Sequence, residues 1–138
     1  MKTLRNQFLL RSTAAIVLCA NAIFPLAGVA DAPRTVEMIA DKDNRFKLAD
    51  GQTVVTLKAG ETVKFKVKSL FGGEKARDGS VHSFVVRKLR AQGWSIRLKE
   101  GLQEFTLAAP PPGNYLIECT VECGPGHDTM SIKMVVVK

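Results

Sequence analysis

The sequence predicts an all-β protein, a Greek-key β-sandwich of about seven or eight strands, and three observations support this fold class. Residues 61–69 alternate apolar side chains with lysines, which is the period of a strand that has one buried and one exposed face. Similar short runs recur along the chain between turn signals such as Asp50-Gly51 and the Pro-Pro-Pro-Gly segment at 110–113. The length suits two packed sheets around one core.

The individual strands follow from this pattern. In chain order, we expect strands over residues 35–40, 53–58, 61–69, 81–86, 104–108, 114–119 and 131–137. Each is a short run in which β-branched, aromatic or other apolar residues alternate with polar ones. Residues 70–80, "LFGGEKARDGS", are rich in glycine and charge and are expected to form a loop. Trp94 is expected to pack near a strand end.

The N-terminal segment has the layout of a secretory signal peptide. It begins with three basic residues and continues with an apolar stretch that ends in small residues at Ala30. Asn21 and Pro25 interrupt that stretch, which is short of the about 20 apolar residues that a membrane span needs. We therefore expect cleavage near Ala30, export to the periplasm and one domain over residues 31–138. No later segment is apolar enough to predict an integral membrane segment after cleavage.

The charge of the chain excludes few partners but gives no sign of nucleic acid binding. The 138 residues include 20 basic and 13 acidic side chains. Because three basic residues lie within residues 1–30, 17 remain against 13 acids, a net charge of +4. This surface is mildly basic, and no motif combines aromatic and basic residues as nucleic-acid-binding proteins do. No nucleophile or general base suggests itself, so an enzyme is not expected.

The most informative stretch is "CTVECGPGHDTM", between the last two predicted strands. It spaces Cys119, Cys123, His127 and Met130 with three, three and two residues between them. The Gly-Pro-Gly turn inside it gives the backbone a tight path around a small centre. Thiolate and thioether are soft ligands and imidazole is borderline, and the combination of thiolate, imidazole and a weak methionine favours copper over zinc. The loop is therefore a candidate copper site.

A second histidine would have to come from elsewhere in the chain. The chain has two histidines, and the second, His82, lies in the apolar run "VHSFVV". A histidine in a strand is often only a packing residue, so alternatives stay open from the residues alone. A disulfide between Cys119 and Cys123, a zinc site and a redox-active thiol pair are three other interpretations. A single copper ion is also compatible with this residue set.

These segments resemble the CuA cupredoxins, which are the copper domains of cytochrome c oxidase subunit II and of nitrous oxide reductase. "CGPGHDTM" is similar to the ligand loop of that family, "GSVHSFVV" resembles its upstream ligand strand, and "PPPGNYLIEC" resembles the run into its first cysteine. The resemblance covers about residues 60–137. It departs from the oxidase members in lacking two N-terminal transmembrane helices and a tryptophan-rich segment before the copper strand. The resemblance therefore implies a cupredoxin-like, free-standing exported protein.

The resemblance also implies roles for individual residues. Two cysteine sulfurs would bridge two copper ions, one histidine would bind each ion, and a methionine and a backbone carbonyl would be weak ligands. In this sequence the six positions are His82, Cys119, Val121, Cys123, His127 and Met130. Ser83 and Asp128 are candidates for hydrogen bonds that orient the two imidazole rings.

Two functions compete at this point. The first is a soluble periplasmic protein that carries single electrons between redox proteins, such as a c-type cytochrome and a terminal oxidase or reductase. The second is a periplasmic copper chaperone or delivery protein, which the same soft ligands would suit. A disulfide-stabilised binding module without metal is a third class. A filled, rigid ligand set favours the carrier, whereas an exposed and incomplete set favours delivery.

Overall fold

The structure, a computed structural model, describes residues 32–138. Nine strands in this range form two sheets, one with the order β2-β1-β4-β7 and the other with the order β3-β9-β8-β5-β6. The strands are β1 (Arg34–Ala40), β2 (Phe46–Leu48), β3 (Val54–Lys58), β4 (Thr62–Ser69), β5 (His82–Val85), β6 (Ser95–Leu98), β7 (Gly101–Ala108), β8 (Gly113–Glu118) and β9 (Ser131–Val137). The predicted all-β sandwich is confirmed.

All seven predicted strands are present, and the strand count is higher than expected because two short strands were missed. β2 and β6 have three and four residues, too few for a period-two pattern to stand out. Their pairing is antiparallel to β1 and to β5, so the neighbouring strand determines their structure more than their own sequence does. A 3-10 helix at Arg87–Gln92 was also not predicted.

β4 forms the centre of the first sheet and shows why the alternation was a reliable signal. Its three inward residues, Val63, Phe65 and Val67, are fully buried, while the lysines between them face solvent. β4 pairs in parallel with β1 and antiparallel with β7 along its whole length. In the second sheet, β3 pairs in parallel with β9, and the other pairs are antiparallel. Both sheets thus combine strands that are distant in sequence.

Four aromatic side chains fill the middle of the core between the sheets. The rings of Phe65, Phe84, Trp94 and Phe105 contact each other with centroid separations from 5.0 to 6.0 Å. Trp94 is 1% exposed, and its indole N–H donates to the Ala108 carbonyl at 3.2 Å. A buried tryptophan normally finds such a partner, so Trp94 has the expected packing role.

The predicted signal peptide lies outside the described residues, and its cleavage near Ala30 stays a prediction. Between residues 32 and 138, no helix has the length and apolar character needed to cross a membrane.

Strand register brings the predicted ligand segments to one end of the second sheet. β8 ends at Glu118, directly before Cys119, and β9 begins at Ser131, opposite Glu118 in the register. β5, which begins with His82, is the other neighbour of β8. The base of the cysteine-rich loop is therefore held by paired strands on both sides.

Candidate metal centre

The cysteine-rich loop folds back on itself so that its sulfur and nitrogen atoms face one another. The Cys119 N–H donates to the Met130 carbonyl at 3.0 Å and closes the loop. The two cysteine Sγ atoms lie 3.7 Å apart. On the far side, Cys123 Sγ lies 3.4 Å from Nδ1 of His127 and 3.8 Å from Sδ of Met130. Four soft donors thus form one cluster within a single loop.

Two glycines allow this compact path. Gly124 has φ 111° and Gly126 has φ 92°, a region that residues with a Cβ rarely adopt. A Cβ on Gly124 would also lie 2.5 Å from the Gly72 carbonyl oxygen of the neighbouring loop. A short 3-10 turn, His127–Thr129, follows, in which the His127 N–H donates to the Gly124 carbonyl at 3.1 Å. This turn directs the His127 ring back toward Cys123.

His82 completes the cluster from β5. Its side chain is fully buried, and a ring nitrogen lies within 4.8 Å of both cysteine sulfurs. Nε2 lies 2.8 Å from the Leu70 carbonyl oxygen, whereas buried Nδ1 has no hydrogen-bond partner among the described residues. Because a carbonyl only accepts, Nε2 carries the proton and the lone pair is on Nδ1. The ring is thus fixed in the tautomer that leaves Nδ1 free to bind a metal.

The residues next to Cys119 support its sulfur. The Ser83 N–H donates to Cys119 Sγ at 3.4 Å, and the Val121 carbonyl oxygen lies 3.3 Å from the same sulfur. The Ser83 hydroxyl accepts from the Thr120 N–H at 2.7 Å. The suggestion that Ser83 orients the His82 ring is therefore wrong: the Leu70 carbonyl does so, and Ser83 ties β5 to the start of the loop.

The suggestion for Asp128 also finds no support. Within residues 32–138, its carboxylate makes no hydrogen bond to the His127 ring, and it is exposed. The nitrogen of His127 that faces the cluster is next to Cys123 instead.

The two thiols differ in acidity. Burial raises the pKa of Cys119, but the adjacent His82 side chain and the backbone groups of Val121 and Ser83 outweigh it, so the pKa falls to about 6. Burial and then the nearby charge of Cys119 raise the pKa of Cys123 to about 12. Two thiolates so close together repel each other, so the Cys123 proton is held once Cys119 has lost its own. The site thus favours one thiolate before anything binds.

All six residues predicted as ligands lie in this cluster. Five of them are buried, and His127 is half-buried. Both cysteines are free thiols, and their sulfurs are much farther apart than the about 2.0 Å of a disulfide bond. His82, the candidate most distant in sequence, lies on the same end of the sandwich as the sulfurs.

Three groups that shape the site were not predicted. The Leu70 carbonyl orients His82, the Thr120 N–H binds Ser83, and the Asn44 side chain donates to Gly72 and Pro125 in two loops beside the cluster. Backbone groups carry no residue signature in a sequence. A single asparagine in a turn most often has only a local role, so no signal in the sequence separated Asn44 from other turn residues.

Comparison with known proteins supports the fold. No protein-family model and no curated protein sequence matches the chain. Among solved structures, the chain is similar to the periplasmic domain of cytochrome oxidase subunit II (CoxB) of Bradyrhizobium japonicum, with 19% identity, a TM-score of 0.53 and coverage of 80% of this chain and 88% of that one. It is also similar to a chain of a heme-copper terminal oxidase dimer, with 18% identity, a TM-score of 0.57 and coverage of 79% and 68%.

A third similar structure is a smaller protein. Auracyanin A, a "blue" copper protein of the green thermophilic photosynthetic bacterium Chloroflexus aurantiacus, matches with 23% identity and a TM-score of 0.51. The match covers 77% of this chain and the whole of auracyanin A. Identities this low show the fold, and the cluster of His82, Cys119 and Cys123 adds an observation from the chain itself. The protein therefore has the cupredoxin fold, and its histidine and cysteine cluster is consistent with a CuA-type cupredoxin.

Proposed function

We propose that the chain is an exported single-electron carrier that holds a pair of copper ions in a CuA-type centre. One observation carries the proposal: two free thiols lie 3.7 Å apart, with one histidine beside each end of the pair. His127 Nδ1 is 3.4 Å from Cys123 Sγ, and a His82 ring nitrogen is within 4.8 Å of both sulfurs. Two adjacent thiols with two histidines nearby offer enough donors for two ions.

The donor set fits copper on its chemistry. Among the residues that the structure describes, buried His82 Nδ1 has no hydrogen-bond partner, and an unsatisfied buried polar atom costs free energy unless something binds it. Thiolate and thioether sulfurs suit soft metals such as Cu(I), and Met130 adds little to a zinc site. The residues that would hold the ions are the two cysteines and two histidines, with Met130 and the Val121 carbonyl as weak ligands. When bound, such a centre would accept and release one electron.

The chain's own contribution is rigidity. Cys119 is anchored by its N–H to Met130, and its sulfur accepts a hydrogen bond from the Ser83 N–H. His82 is held by the Leu70 carbonyl. Ligands that are buried and held by further hydrogen bonds move little when charge changes. A small structural change on oxidation and reduction is what fast electron transfer needs.

Burial of the donors favours the carrier over copper delivery. Cys119 is 5% exposed, Cys123 and His82 are 0% exposed, and Met130 is 2% exposed. A delivery protein must present its ligands to an acceptor, whereas these donors lie below the surface. His127 alone among the side-chain donors is half-buried. We infer that electrons pass through the His127 end of the site.

The partner we propose is another redox protein, such as a c-type cytochrome or a terminal oxidase or reductase. Support comes from the similar solved structures, one of which is an oxidase chain and one a periplasmic domain of an oxidase subunit. The proposed location is the periplasm, with the segment up to Ala30 acting as the export signal.

Copper loading of the reduced, purified protein tests the proposal. We expect two copper ions per chain, a purple colour and a seven-line or poorly split EPR signal, because one unpaired electron is shared equally by two copper nuclei. Cys119→Ser and Cys123→Ser should each abolish this species. A blue protein with four wide EPR lines would mean one copper and would overturn the dinuclear proposal. A colourless Cu(I) protein that rapidly loses copper to a chelator would instead support delivery.

Two buried methionines provide a matched control for the ligand assignment. Met130 and Met134 are both at most 2% exposed, but only Met130 lies beside Cys123. Met130→Leu should shift the reduction potential and the visible spectrum while copper stays bound. Met134→Leu should leave both unchanged. Equal spectra for the two variants would remove Met130 from the ligand set.

A further inference from the structure

We propose that Asn44 is a positioning residue that joins the ligand loop to the loop that orients His82. Asn44 is not a ligand in any interpretation above, and it lies in the turn between β1 and β2. Its side chain is fully buried. The copper readouts of this inference rest on the proposed function, but its central claim concerns the protein without metal.

The Asn44 amide donates to two different loops. Nδ2 lies 2.6 Å from the Pro125 carbonyl oxygen, 81 positions away in sequence, and 3.1 Å from the Gly72 carbonyl oxygen, 28 positions away. Pro125 lies between Cys123 and His127 in the ligand loop. Gly72 lies two residues after Leu70, whose carbonyl holds the His82 ring. One side-chain nitrogen therefore connects both halves of the candidate site.

Other contacts between these two loops are few. Among the hydrogen bonds of residues 32–138, one more links them directly, from the Glu74 N–H to the Cys123 carbonyl at 3.3 Å. Asn44 thus supplies two of the three hydrogen bonds that bring the loops together. Losing it would leave the hydrogen bond between Glu74 and Cys123 as the one direct hydrogen bond between these two loops within residues 32–138.

The residue type follows from the geometry. An amide –NH₂ offers two donors at one atom, which Asp and Ser at the same distance do not offer, and Gln would be too long. The surrounding packing is close: a Cβ at Gly72 would overlap Asn44 Oδ1, and a Cβ at Gly126 would lie 2.9 Å from the Asp43 carbonyl oxygen. These contacts leave no room for a longer side chain.

The backbone at this position is also unusual. Asn44 has φ 57°, and among residues 32–138 it is the one non-glycine residue with positive φ. The Asp41 carboxylate supports this turn by accepting from the N–H groups of Asp43 and Arg45 at 3.0 and 2.9 Å. Asparagine tolerates this conformation better than most residues. A strained conformation persists where surrounding structure requires it, and here it aims the amide at both loops.

Asn44→Gly is the informative variant. Glycine accepts positive φ without strain, so the turn is kept and only the amide is lost. In the reduced protein without metal, we expect the rate of alkylation of the Cys119 and Cys123 thiols under native conditions to rise on the order of tenfold, because two buried hydrogen bonds are removed. Asn44→Asp, which keeps the shape but not the donors, should behave alike. Asn114→Ala, at an exposed asparagine of β8, is the matched control and should label like wild type.

The copper-loaded protein provides a second, separate readout. Asn44→Gly should lose copper to a chelator about tenfold faster than wild type and show a shifted reduction potential, while global unfolding stays cooperative. Wild-type alkylation and copper-loss rates in a folded Asn44→Gly protein would overturn the positioning role. If wild type itself binds no copper, the proposed function fails, and the alkylation comparison still decides whether Asn44 holds the loop. If Asn44→Gly does not fold, the Asn44→Asp alkylation rate decides in the same way.

Discussion

Replacing Cys119 by serine should change how the stability of the metal-free protein depends on pH. The pKa of Cys119 is lowered to about 6 in the folded protein from an ordinary value of 9.0. Between these two pH values, the unfolded chain keeps a proton on Cys119 that the folded chain has lost. Stability that depends on the Cys119 thiolate therefore rises as pH increases from about 6 to 9, and it is lost as pH falls.

The size of the effect follows from the same two values. A pKa that falls from 9.0 to about 6 corresponds to about 4 kcal/mol of unfolding free energy at pH 9. Cys119 is 5% exposed, so solvent screening reduces this little. Cys123 acts in the opposite sense: its pKa is raised to about 12, so folding loses stability above pH 9. The thiol pair should therefore give maximum stability near pH 9.

Urea unfolding of the reduced, metal-free protein at several pH values from 5 to 10 measures this. The difference between wild type and Cys119→Ser cancels titrating groups that are distant from the thiol pair, because their contributions are common to both proteins. Cys123 is coupled to Cys119, so Cys123→Ser is measured beside them. Thiolate absorbance near 240 nm provides a direct check. Wild type should show a rise for one thiolate near pH 6, Cys123→Ser should keep that rise, and Cys119→Ser should lose it.

Two results would refute this reasoning. Parallel stability curves for wild type and Cys119→Ser from pH 6 to 9 would show that the folded protein does not favour the thiolate. Absorbance that begins to rise only near pH 9 would show the same. Either result would mean that the adjacent His82 side chain and the Ser83 N–H do not outweigh burial of the sulfur.

Two further changes test the core and the loop. Phe65 is fully buried against three other rings, so Phe65→Ala should lower the free energy of unfolding in urea by about 3–5 kcal/mol. Leu102 is 63% exposed, so the control variant Leu102→Ala should lower it by less than about 0.5 kcal/mol. Equal losses in the two variants would contradict the packing argument. Gly124→Ala adds positive-φ strain and a clash with the Gly72 carbonyl, whereas Gly60→Ala adds strain in open space. The Gly60 variant should lose about 1–2 kcal/mol of unfolding free energy, and the Gly124 variant should lose more and release copper faster. Equal effects in the two variants would show that the ligand loop shifts to accommodate the added methyl group.

Local sequence patterns predicted most of the strands and the ligand loop, because strand alternation and ligand spacing depend on residues that are close together in the sequence. The alternation in residues 61–69 sets which side of β4 is buried, whatever β4 packs against. The spacing of Cys119, Cys123, His127 and Met130 limits how far apart these residues can lie, because two paired strands close the loop. β2 and β6 escaped prediction because pairing with a neighbour, not their own pattern, makes them strands.

By itself, the sequence determined an all-β sandwich and a compact loop of soft ligands near the C-terminus. Only the tertiary structure decided that His82 lies beside both sulfurs, that the Leu70 carbonyl leaves Nδ1 free, and that Asn44 connects the two loops. These contacts join segments from 12 to 81 positions apart, and strand order and register determine which such segments meet. Backbone carbonyls are present at every residue, so their role depends on position in space, which no local pattern specifies.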